Sequence, residues 1–180
     1  MKKNTSVSLS DFVDSIYTLK ALTRYNNKFK IINESVAEHS FFVAVLVLKM
    51  YDDYNFDLKV ALKMALIHDI PELHLSDVTH DVKKNFPKLA KEVLNAEYAI
   101  MRKKYPNWYY TFRDFESGES VEAQVVKMAD NLSCVQYATA EMALGNKGYM
   151  KEVAKDAGRR VMECENKLKK YRRDKYASKQ

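Results

Sequence analysis

Cysteine is scarce in this 180-residue chain, which carries only Cys134 and Cys164. Two thiols cannot build a disulfide framework or a four-thiolate zinc site. They suit a reducing cytoplasm, where cysteine packs as a small apolar residue. Glycine (four) and proline (three) are also rare, which excludes collagen-like and mucin-like chains. Long apolar runs are missing as well. The longest, Phe41 to Leu48, falls far short of the ~18–20 residues that span a bilayer. The N-terminus opens Met1-Lys2-Lys3 and continues through polar residues, so no signal peptide is expected. The expectation is a cytoplasmic protein with no membrane partner.

Apolar residues make up 47% and charged residues 30%, enough apolar surface to offset the entropy of ordering and to exclude a disordered chain. At ~100–200 residues per domain, a single domain over 1–180 is expected, its core over about 8–171. The net charge is +6, and residues 167–180, with seven Lys/Arg against one Asp, account for all of it. The excess is thus a basic C-terminal tail on a neutral domain rather than a basic face, and nucleic acid is not an expected partner.

The pattern is all-α. A first helix starts at Ser8, where Asp11 completes a capping box, and carries Phe12, Ile16, Leu19 and Leu22 at helical spacing. Ser35 and Glu38 open a second. Its apolar residues fall on more than one face, which predicts a central, buried helix. Asp57 caps a third, which stops before Pro71. A loop is expected to about Asn85. Pro87 begins a fourth helix that ends before Pro106. After an aromatic-rich stretch, Trp108 to Phe115, a fifth runs from about Glu119 to Leu144, stopped by Gly145-Asn146. A sixth covers about Met150 to Tyr171. The expected architecture is a compact bundle of about six helices.

Histidine and aspartate suggest the chemistry. There are four histidines: His39, His68, His74 and His80. His39 lies just after a capping box. His68 is followed by Asp69, and Asp130 interrupts the apolar run Val125 to Leu132. An acid in such a run is costly to bury unless it is paired or metal-bound. Two imidazoles and two carboxylates would form a mixed N/O site for a divalent ion, with open positions for water and a phosphate oxygen. A second pair, His80-Asp81, lies in a polar loop without a buried platform and is set aside as the metal pair. Cys134, one turn after Asp130, reads as a buried thiol near the site.

The order His39, His68-Asp69, Asp130 over residues 15–146 resembles the HD-domain phosphohydrolases. The finer motifs resemble the bacterial HD-domain 5′-deoxynucleotidases, the YfbR-like family. They are Arg24-Tyr25, Glu34-Ser35-Val36-Ala37-Glu38-His39-Ser40, and His68-Asp69-Ile70-Pro71-Glu72 followed by Asp77 and Val82-Lys83. Lys127-Met128-Ala129-Asp130-Asn131-Leu132 comes next, with Glu141 and Gly145-Asn146 after it. The resemblance implies an HD-domain helical bundle and one divalent ion (Co²⁺, Mn²⁺, Mg²⁺ or a similar metal) on His39, His68, Asp69 and Asp130. It implies that Arg24, Tyr25 and Lys83 bind substrate and that Glu72 and Asp77 serve catalysis. The implied reaction removes the 5′-phosphate from (deoxy)nucleoside monophosphates, and the implied assembly is a homodimer or higher homo-oligomer.

Two departures bear on specificity. Tyr25 stands where relatives carry Trp, and Ser76-Asp77-Val78-Thr79-His80-Asp81 replaces a loop with two prolines. Release of triphosphate from a dNTP, as in small phage dATPase-like enzymes, is the alternative reaction. A non-catalytic nucleotide-binding HD module is a lesser one. His74 and His80 leave room for a second ion.

Overall fold

The computed structural model describes residues 8–173. Ser8, Ser35, Asp57 and Ser120 each start a helix in the same way: the side-chain oxygen accepts the backbone N–H three residues on. Among the described residues nine α-helices follow in order. They are α1 (Leu9–Thr18), α2 (Val36–Met50), α3 (Leu58–Ile67), α4 (Glu72–Leu75) and α5 (His80–Asn85). Next come α6 (Pro87–Lys104), α7 (Tyr109–Ser117), α8 (Val121–Ala143) and α9 (Gly148–Leu168), with a 3-10 turn over Lys169–Tyr171. The only extended pairings among these residues are single bridges, Thr23 with Ser35 and Tyr54 with Arg172.

Of the three elements beyond the expected six, α4 and α5 lie in the segment expected to be loop and α7 in the aromatic-rich stretch. Pro71 does stop α3, but its own backbone is helical and starts α4, which Ser76 ends with φ at 63°. The aromatic stretch coils into α7 because Phe112 and Phe115 can both be buried one turn apart. Gly118, at φ 64°, then closes α7 in a left-handed cap.

Helices α2, α3 and α8 share one core, in which Val43, Val47, Ala61, Met64, Val126 and Ala129 are buried. Each large apolar side chain buried there contributes roughly 1.5–3 kcal/mol. A second cluster joins Leu19, Val36, Ile67, Met101, Tyr105 and Phe112. It holds the start of α2 and the end of α3 against α6 and α7. Helix α9 folds back along α8 after a turn in which the Asn146 N–H bonds the Glu141 carbonyl.

Two further differences from the sequence reading have physical causes. Helix α2 is buried on one face only. Its outer face shows Phe41 at 69%, Val45 at 42% and Leu48 at 48% exposure, because α3 and α8 pack on a single side of it. The basic tail also starts later than its charge suggests. Leu168 is fully buried, and the chain stays tied down to Arg173, whose guanidinium bonds the Tyr54 carbonyl. Residues 174–180, the rest of that tail, lie outside the described residues. No helix among the described residues is long and apolar enough to cross a membrane.

A candidate metal centre

Three helices aim their polar residues at one point. His39 sits one turn into α2, where the Ser35–Glu38 capping box fixes the helix start. His68 ends α3, Asp69 follows in the next turn, and Asp130 lies midway along α8. His39 Nε2 is 3.3 Å from His68 Nε2, 3.2 Å from Asp130 Oδ1 and 3.6 Å from Asp69 Oδ2. His68 Nε2 is 3.1 Å from Asp69 Oδ2. Two ligand atoms bound ~2.0–2.2 Å from one ion stand ~3.0–3.5 Å apart, and the ligand atoms of His39, His68 and Asp130 all lie within 4.8 Å of one another, with Asp69 beside both imidazoles.

Hydrogen bonding prepares the imidazoles. His68 Nδ1 lies 2.8 Å from the Ala65 carbonyl. Nδ1 can only donate there, which fixes the ring so that Nε2 is the nitrogen turned toward the carboxylates. His39 Nδ1 lies 3.0 Å from Ser133 Oγ and 2.8 Å from Arg24 Nη1. Burial opposes a charge on His68, yet Asp69 and Asp130 outweigh it and lift its pKa to about 9. Burial would raise Asp69, but His68 beside it brings it down to about 2. Asp130 is likewise depressed, with burial overcome by its hydrogen bond to His39. A field that draws a proton onto a buried imidazole also favours a divalent cation.

The other residues singled out in the sequence form the walls. Arg24, Tyr25, Asp69, Glu72, Asp77, Lys83 and Asp130 line one cavity of about 220 Å³. The bridge between Thr23 and Ser35 sets Arg24 against the start of α2, where it pairs with Glu34 at 3.0 Å. Tyr25 takes φ 53°, a left-handed conformation that costs roughly 1–2 kcal/mol in a non-glycine residue. Its N–H donates to Asp77 Oδ2 at 2.6 Å, and its ring stacks on Tyr137 with centroids 5.1 Å apart. Glu72 Oε2 is shielded from solvent and has no hydrogen-bond partner. Burial first, then the charges of Asp69 and Asp77, push the Glu72 pKa well above the carboxylate range. Lys83 reaches Glu97 at 3.3 Å. It also borders an adjoining cavity of about 260 Å³, shared with His68, Glu72, His80 and Lys127. His74 stacks against Tyr105 instead and lines neither cavity.

Three contributions escaped the sequence reading. Ser133 supports His39 from α8. Helix α9 supplies a cavity wall through Tyr149, Glu152, Val153, Asp156 and Arg160. Their three- and four-residue spacing was the available signal, but it reads equally well as an ordinary solvated helix face. Glu141, noted only as part of a motif, is fully buried and organises the segment that follows Tyr25. It accepts from the Ile31 N–H at 2.9 Å, the Ile32 N–H, and Asn146 Nδ2 at 2.6 Å.

The chain is similar to known proteins along most of its length. The family model described as "5′-deoxynucleotidase YfbR-like" matches residues 11–178. The 4′-phosphooxetanocin A phosphatase of Priestia megaterium is 26% identical over 154 residues, covering 79% of this chain and 78% of that protein. The 5′-deoxynucleotidase VV1113 of Vibrio vulnificus is 27% identical over 151 residues, 76% and 77% of the two chains. The cyanophage S-2L HD phosphohydrolase DatZ, solved with dA and one catalytic Zn²⁺ ion, shares the fold. It superposes with a TM-score of 0.58 at 18% identity, over 92% of this chain and 99% of that one.

Proposed function

The chain belongs to the YfbR-like 5′-deoxynucleotidase family, and from that premise we propose that it removes the 5′-phosphate from deoxynucleoside monophosphates in the cytoplasm. It is a metal-dependent HD-domain nucleotide phosphohydrolase. The observation that carries the finer reading is the convergence of His39, His68, Asp69 and Asp130 beside a cavity to which Arg24, Lys83 and Arg160 bring positive charge and Tyr25 and Tyr149 bring rings, among several carboxylates. His39, His68, Asp69 and Asp130 would hold one divalent ion. Two imidazoles and two carboxylates suit a transition ion such as Co²⁺ or Mn²⁺ better than Mg²⁺, which favours all-oxygen ligands. When bound, the ion supplies a water of lowered pKa and polarises the phosphate.

The chain's own groups do the rest. An ion held by His39 Nε2 would leave the imidazole proton on Nδ1, facing Ser133 Oγ. Arg24 then loses an acceptor and presents its planar fork to a phosphate oxygen. Lys83 adds a second positive contact. Glu72 holds a proton that it can pass to the leaving 5′-oxygen, and Asp77, fixed by the Tyr25 amide, contacts the sugar. The exposed outer face of α2 would join a second copy in a homodimer.

The adjoining cavity, with Lys83 and Lys127 on its wall, favours a second reading in which a polyphosphate leaves from a dNTP. A product assay separates the two. Metal-stripped protein is restored in turn with Co²⁺, Mn²⁺ and Mg²⁺ and offered dNMPs, NMPs and dNTPs, and free phosphate is resolved from triphosphate. Phosphate from dNMPs, greatest with a transition ion, is the expected result. Triphosphate from a dNTP would replace it with the second reading. Metal binding without any turnover would leave only a nucleotide-binding module.

A further inference from the structure

Helix α9 turns one continuous stripe toward the cavity: Tyr149, Glu152, Val153, Asp156 and Arg160. At 1.5 Å per residue the stripe is ~16 Å long, more than a phosphate group requires. Its two ends differ. Arg160 donates to Asn131 Oδ1 at 2.6 Å, which sets it beside Asp130 and the metal donors. Tyr149 meets Tyr25 edge to face, with ring centroids 6.3 Å apart. Val78 and Val153 line the same cavity. On the reading proposed above, one end faces the phosphate and the other the nucleoside.

Asp81, Glu152 and Asp156 are the carboxylates on this outer part of the cavity. Two of them are committed. Asp81 accepts from Lys28 Nζ at 2.7 Å and the Tyr149 hydroxyl at 2.9 Å. Asp156 accepts from Lys84 Nζ at 2.9 Å. Glu152, between Tyr149 and Asp156 on the same face, bonds no other described residue. An ionised carboxylate can only accept hydrogen bonds. Glu152 is exposed and lines the cavity, so at the nucleoside end an N–H of the ligand competes with water for its oxygens.

We propose that Glu152 selects the base, accepting a hydrogen bond from the exocyclic amino group of cytosine or adenine and disfavouring uracil and thymine, which carry a carbonyl oxygen in its place. The amino group of cytosine gives way in uracil to a carbonyl oxygen, whose lone pairs repel the carboxylate. The proposal rests on the nucleotide reading of the cavity. It adds a residue of α9 to the specificity of that site.

The pair dCMP and dUMP isolates the exchange of an amino for a carbonyl group. With metal-loaded full-length protein, kcat/KM and the dissociation constant are measured for both. The native chain should favour dCMP by roughly 3–10-fold, the worth of one exposed charge-assisted hydrogen bond. Glu152→Ala should bring the ratio close to one. Glu152→Gln, whose amide can also donate, should shift it toward dUMP. A native ratio near one, an unchanged ratio in Glu152→Ala, or binding of neither nucleotide overturns the proposal. Absence of phosphate release from every dNMP overturns the monophosphatase reading instead, and the binding ratio then still decides the role of Glu152.

Discussion

Glu72 and Glu141 are carboxylates in opposite circumstances. Both oxygens of Glu141 find donors in two backbone N–H groups and Asn146, and the Tyr137 hydroxyl, which donates to the Ile32 carbonyl at 2.8 Å, lies 3.4 Å away. Burial alone would raise its pKa, but these hydrogen bonds, Asn146 first, bring it below the usual range. Glu72 has an oxygen without any partner and two acids beside it, so it is pushed the other way. A satisfied carboxylate anchors the chain, whereas an unsatisfied, proton-holding one is suited to acid–base work. Glu72→Gln should lower kcat by ~10²–10⁴-fold while titrated Co²⁺ binds as before. A loss of metal affinity instead would make Glu72 a ligand. Glu141→Gln turns an N–H₂ toward groups that themselves donate. It should cost about 1–3 kcal/mol in a urea titration and raise KM more than it lowers kcat, because the segment carrying Arg24 and Tyr25 loosens. Equal falls in both constants would reduce Glu141 to a general structural role.

At the level of the element, the start of α2 positions His39. Ser35 accepts the Glu38 N–H, and Glu38 accepts from the Ser35 N–H at 2.8 Å and its hydroxyl at 2.7 Å. Those two bonds hold Glu38 below its ordinary pKa, the Ser35 hydroxyl contributing most. Ser35→Ala should cost about 1 kcal/mol at neutral pH, read as a lower melting temperature. A depressed carboxylate pKa adds stability above its unfolded value and loses it as pH falls through the folded value. The melting gap between native protein and Ser35→Ala should therefore narrow below about pH 4. A gap constant to pH 2 would show that the ionised Glu38 adds nothing.

At the scale of the molecule, the outer face of α2 leaves Phe41, Val45 and Leu48 in water at successive helical turns. An apolar stripe of this kind on an ordered helix is a contact surface more often than an accident. Sedimentation should show a dimer for the native chain and a monomer for Phe41→Glu, with a similar melting temperature because Phe41 is largely exposed and belongs to no core cluster. A monomeric native protein would remove the dimer from the proposed function.

Much of the architecture was legible along the chain because it is local. Caps at Ser8, Ser35 and Asp57, breaks at Pro71 and Gly145, and helical spacing between them depend on neighbours a few residues away. The order His39, His68-Asp69, Asp130 along the chain suggested a cluster, and the structure brings these four side chains together. The sequence could not say that Phe41 and Val43 face opposite fates, since both are apolar on one helix and only the placement of α3 and α8 separates them. Nor could it bring Glu152 and Arg160 to a site whose metal-donor residues lie more than twenty positions earlier, or reveal that Glu141 meets Ile31 across 110 residues. Helical propensity acts over a turn and belongs to the sequence; burial, cavity walls and cross-chain hydrogen bonds depend on how the helices pack, and only the tertiary structure decides them.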